Sequence, residues 1–122
     1  MPSENIQIVA SDGSRPGQRI LSLRGPLNIH TIFDFQAAMR AEQSPILIVD
    51  FSGVPYIDSA GLGATVGAQV SAQRANRRVV LTALNERVKA LLSMTHVSRL
   101  FQTYETVGDA ESAMAQTSGT GS

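Results

Sequence analysis

Asp58, Ser59, Gly61 and Gly63 stand together within "FSGVPYIDSAGLGATVGAQV", residues 51–70. A carboxylate beside a hydroxyl, followed at once by glycines, raises nucleophilic, nucleotide-binding and modification chemistry. A Walker A loop requires GxxxxGK[ST], and no lysine follows these glycines. A dinucleotide fingerprint requires G-x-G-x-x-G, which Gly61, Gly63 and Gly67 miss by one residue. The stretch 77–81, where the ribose-binding acid would fall, is basic and then apolar. A hydrolase elbow needs glycine two residues before its serine, where Ile57 stands. His30 is available in principle as a base, but a serine, two histidines and scattered acids are common in chains of this size.

Position is more informative than composition here. Ser59 falls where an apolar strand gives way to a helix. Unpaired amides and a positive dipole favour an anion at such a helix start. Asp58 or Ser59 can serve there simply as an N-cap. Capping leaves Gly61 and Gly63 unexplained, since glycine in a helix costs about 1 kcal/mol relative to alanine. Close approach by another backbone or a partner offsets such a cost, and tight packing on a sheet is the competing explanation, which suits Gly67 best. A phosphoryl group on Ser59 would add about −1.5 to −2 charges where the helix N-terminus stabilises them. The adjacent Asp58 carboxylate would then have to turn away from it.

The elements that position this motif follow from periodicity. Residues 5–10 and 20–24 alternate apolar and polar around the turn-rich "SDGSRPGQR", which predicts an antiparallel hairpin. Residues 32–40 form an amphipathic helix with Thr31 as its expected N-cap. Residues 45–51 are an apolar run interrupted only by Asp50, the pattern of a strand buried on both faces. Residues 59–76 form a helix whose Leu62, Val66 and Val70 recur every four positions and are expected to face the sheet. A strand at 79–83 follows, then a helix at 85–93 with Val88, Leu91 and Leu92 inward. A short strand at 100–104 precedes a helix from Thr106 through Gln116. The expectation is an α/β domain in the order β-β-α-β-α-β-α-β-α, with a mixed sheet of four or five strands and about four helices. Residues 1–116 form one domain, and the small, polar "TSGTGS" of 117–122 is expected to be a disordered tail.

Composition bounds the partners. Ten basic and ten acidic residues give a formal net charge of zero, which disfavours nucleic acid as the main ligand. Arg74, Arg77 and Arg78 read as the solvated end of a helix. The 16% charged fraction is low against an average near about 25%, leaving surface for a protein partner. Cysteine is absent, and His30 and His96 lack paired metal-ligand spacing, so no metal or cofactor is expected. No apolar run is long enough to span a membrane, and no signal-peptide pattern opens the chain, so a cytoplasmic location is expected.

The run "DFSGVPYIDSAGL", residues 50–62, resembles the signature of STAS domains of the bacterial anti-sigma-factor antagonist type. "GPLNIHT" is similar to the loop before that family's first helix, and "VKALLSMTHVSRLFQTYETVGDAESAM" to its closing helix–strand–helix. The resemblance implies a phosphorylation-controlled partner switch rather than an enzyme. The unphosphorylated antagonist binds an anti-sigma serine kinase and frees a sigma factor. Phosphorylation at the position matching Ser59 releases the antagonist, and a metal-dependent serine phosphatase resets it. The implied contact surface comprises Asn28, His30, Thr31, Tyr56, Asp58, Ala60, Gly61, Leu62 and Gly63, around residues 27–31 and the helix start. Asn28 stands where the family commonly carries an acid, and the exchange removes a charge but keeps an acceptor. The alternatives are a STAS adaptor subunit, in a stress-signalling or lipid-transport complex, that is never phosphorylated, and a sensor of small anions or nucleotides. A monomer is the simpler expectation.

Overall fold

The computed structural model describes residues 5–119, with side chains described through residue 115. Strands β1 (Gln7–Asp12) and β2 (Gln18–Arg24) pair antiparallel, and Gly17 sits in their connection with a φ of 84°, a conformation glycine adopts without strain. The chain continues through α1 (Ile32–Ala41), β3 (Ile46–Gly53), α2 (Ser59–Arg74), β4 (Arg78–Thr82), α3 (Glu86–Met94), β5 (Gln102–Tyr104) and α4 (Val107–Gly119). The sheet order is β1-β2-β3-β4-β5, with every pair after the first parallel. This is the expected element order and a mixed five-stranded sheet with four helices. A 3-10 turn, Ser98–Leu100, takes up the first part of the expected last strand.

The helices divide unequally between the faces. On one side Leu21, Leu23, Leu47, Val49, Phe51, Val79 and Leu81 pack with Phe35 and Met39 of α1, Ala64 and Ala72 of α2, and Val88 and Leu92 of α3. On the other, Ile46, Ile48 and Val80 pack under Ala110 and Met114 of α4. Thr106 caps α4 as expected, its hydroxyl accepting from the Asp109 amide (3.0 Å). The backbone of α4 continues to Gly119, into the expected tail; residues 120–122 lie outside the described residues. Among the described residues no helix is long and apolar enough to cross a membrane.

The buried stripe of α2 differs from expectation. Its buried residues are Gly61, Ala64, Thr65, Gln69 and Ala72, while Leu62, Val66 and Val70 are only half-buried. Small residues on the inner stripe let the helix axis lie close to the sheet, and the branched residues flank the contact. The basic cluster is also less free than expected. Arg77 donates to the Glu42 carbonyl (2.6 Å) and Arg78 to the Gln102 side chain, leaving Arg74 exposed in the last turn of α2.

Candidate functional site

Two loops at the carboxyl end of the parallel strands are sewn together. The Leu27 amide donates to the Tyr56 carbonyl (3.1 Å), and the Asp58 amide donates to the Leu27 carbonyl (3.1 Å). These bonds make Leu27 and Ile57 a one-residue parallel bridge, with Leu27 fully buried. The β2–α1 loop is thereby fixed against the entrance to α2. Gly61 is what permits this closeness, because a Cβ there would overlap the Leu27 carbonyl oxygen. The glycine that packs tightly is therefore Gly61, not Gly67. Apart from chain neighbours and the backbone of α2 itself, neither Gly63 nor Gly67 has an atom within 4 Å of the place a Cβ would take.

Asp58 does the capping. Its backbone is extended (φ −103°, ψ −173°), and one carboxylate oxygen accepts from the Gly61 amide (2.8 Å). The other oxygen accepts from the Ile29 amide (3.2 Å), so one side chain both starts α2 and holds the neighbouring loop. Ser59, the first residue of α2, is exposed, and among the described residues none hydrogen-bonds to its hydroxyl. It lies in the turn whose first amides have no partner within the helix.

Beneath this surface the loop is held by polar side chains. Asn28, only 3% exposed, accepts from the His30 amide (2.9 Å) and donates to the Tyr56 hydroxyl (3.2 Å). Thr31 does not cap α1 by its side chain: its hydroxyl accepts from the Asn28 amide (2.9 Å) and donates to the Pro26 carbonyl (2.8 Å). The demand for partners inside the loop outweighs the demand for a cap. Asn28, Thr31 and Gly61 are thus buried, and they shape the site from below. His30, Ser59 and Gly63 are exposed, while Tyr56, Asp58, Ala60 and Leu62 are half-buried. Ile29 and Phe33 stand out beside them, 60% and 72% exposed. The Tyr56 ring carries the Arg87 guanidinium of α3 at 5.3 Å from its centroid, within cation–π range. Asn85, the N-cap of α3, donates to the carbonyls of Val54 (3.1 Å) and Pro55 (3.0 Å), anchoring the approach to Ser59.

Residues 6–110 match the STAS domain family. The chain belongs to that family. Solved structures agree in fold. An anti-sigma factor antagonist from Mycobacterium paratuberculosis is 22% identical, with a TM-score of 0.77 over 88% of this chain and 92% of that one. A candidate anti-sigma factor antagonist from Thermotoga maritima is 24% identical, with a TM-score of 0.76 over 87% and 92%. A sulfate transporter family protein from Wolinella succinogenes is 17% identical, with a TM-score of 0.74 over 87% and 91%.

In this STAS domain the serine has no base bound to it. Both Asp58 oxygens are taken by backbone amides, and Ser59 has no hydrogen bond to His30. What the arrangement can do is present a free hydroxyl on a rigid, capped helix start. Arg87 and Phe33 were not visible as site residues in the sequence. Arg87 reaches the site only through the α3 packing that brings it over Tyr56. Asn85 carried a signal, since an asparagine before an apolar-periodic run is an N-cap pattern, but its grip on Val54 and Pro55 is long-range.

Proposed function

We propose that this STAS domain is an anti-sigma-factor antagonist whose Ser59 is a phosphoacceptor. One observation carries the reading: Asp58 already caps α2, so the exposed Ser59 hydroxyl is free to be modified without uncapping the helix. Unphosphorylated, the surface around Ser59 binds an anti-sigma serine kinase, and the sigma factor is freed. The Ser59 oxygen then takes the γ-phosphoryl of ATP, ADP leaves, and the hydroxyl proton passes to a base of the kinase. The added charge of about −1.5 to −2 sits beside the Asp58 carboxylate and at the centre of the contact, which expels the kinase. A serine phosphatase restores the hydroxyl. The domain is substrate and ligand rather than catalyst, and its place is the cytoplasm.

The test is incubation with the cognate anti-sigma kinase and ATP, read by intact mass. One added phosphate is expected, and none on Ser59→Ala. Ser59→Glu should weaken kinase binding by roughly tenfold or more, as a buried unpaired charge does, while the melting temperature holds. No phosphate on the wild-type chain alongside intact kinase binding would overturn the switch. Asn28 favours a second reading on that outcome. It supplies no charge where the family commonly has an acid, so a constitutive adaptor that binds without being phosphorylated would follow.

A further inference from the structure

Gly63 and Gly67 have no partner atom near the place of a missing Cβ, and both border a groove of about 290 Å³ between α1 and α2. The groove has an apolar floor, where Phe35 and Met39 of α1 lie buried. All its charge is at one end. Arg40 occupies the last turn of α1, and Arg77 lines the same groove, held by its bond to the Glu42 carbonyl just past that helix. No acidic side chain lines the groove. The C-termini of α1 and α2 oppose this positive end, but each counts as about half a charge against a full charge on each arginine. The end is net positive.

We infer that this groove binds a single-chain anionic amphiphile, a medium-chain fatty acid. The alkyl chain lies along the wall of Gly63, Ala64, Gly67 and Ala68, above the edge of Met39, and the carboxylate meets Arg40 and Arg77. Guanidinium groups match a carboxylate in both charge and planar geometry. The volume falls at the lower edge of the ligand-pocket range of about 300–1,000 Å³, a size that suits one chain. A cation at one end only, above an uncharged floor, matches a ligand with one head and one tail.

The test uses the whole chain, isotope-labelled, titrated with decanoate below its micelle concentration and followed by backbone amide NMR. Saturable shifts are expected at Gly63 and Gly67, with little change at Ile29 or Gly108. Decyltrimethylammonium and 1-decanol, which share the tail and lack the anion, should bind roughly tenfold more weakly or worse, as expected for loss of charge-assisted hydrogen bonds. Arg40→Gln should weaken decanoate to a similar degree. Gly67→Leu fills the groove and should abolish the shifts, while its melting temperature stays level or rises because leucine is the better helix former. Shifts that never saturate, or equal response to the cationic amphiphile, would overturn the inference. So would undiminished binding by a folded Gly67→Leu chain. A partner-protein helix as the true occupant would show itself as no response to decanoate at all.

Discussion

At the residue scale, three glycines of one helix have opposite reasons to exist. Gly61 lies against the Leu27 carbonyl, which is itself bonded to the Asp58 amide and cannot move without breaking the bridge between the two site loops. Adding one methyl group there forces the loop away from α2, so Gly61→Ala should lose about 1–3 kcal/mol, the usual cost of overpacking. Gly63 and Gly67 face open space, so alanine at either should add up to about 1 kcal/mol through helix propensity alone. Thermal denaturation of the three variants checks this directly: one midpoint falls and two rise. Three losses would mean that Gly63 and Gly67 are packed against something within the chain. The sequence alone points the wrong way here, because by position Gly67 is the glycine that suits tight packing best. The difference lies in a contact with Leu27, a residue far away along the chain.

At the element scale, the start of α2 was legible and its orientation was not. An aspartate and a serine ahead of an apolar-periodic run mark an N-terminus from local chemistry, and Asp58 does cap there. The inner face is not read from size, because Leu62, Val66 and Val70 outweigh Gly61, Ala64 and Ala72 whereas close helix–sheet contact selects for smallness. The loop before α1 is a similar case: Thr31 has the residue type of a cap but spends its hydroxyl on Asn28 and Pro26. Asp58→Ala should therefore cost more than an isolated cap, whose loss is about 0.5–2 kcal/mol, because the Ile29 amide also loses its acceptor. Hydrogen exchange at Ile29 and Gly61 should accelerate together in that variant. Acceleration at Gly61 alone would mean that Asp58 does not hold the loop. Asn28→Asp bears on the proposed switch. Its carboxylate can keep the His30 amide and accept from the Tyr56 hydroxyl, which turns from acceptor to donor. The variant should fold with the same loop, and should be phosphorylated faster on Ser59 if an acid there serves the kinase.

At the scale of the whole molecule, the two faces of the sheet are unequal, and β3 records it. Its first residues, Ile46, Leu47, Ile48 and Val49, are buried on both sides, but Asp50 and Ser52 then alternate with buried Phe51. The apolar run in the sequence thus announced a doubly covered strand correctly for its first half only, up to Asp50. α4 covers the sheet where Ile46, Ile48 and Val80 lie, and beyond it the face carries Ser22, Asp50 and Ser52. The second core is small, so each of its members matters. Met114 is 1% exposed and its side chain fills the space between α4 and the sheet. Met114→Ala removes that volume and leaves a cavity, for which about 2–5 kcal/mol is the usual range. The low end is expected, because a helix over one edge of a small core can settle into part of the gap. α1, α2 and the site loops belong to the opposite core, so they should stay ordered in this variant. Urea denaturation measures the loss, and amide exchange locates it: protection should fall throughout α4 while Leu27 and Gly61 keep theirs. A uniform loss of protection across both faces would mean that the two cores open as one unit and that α4 is not a separable layer.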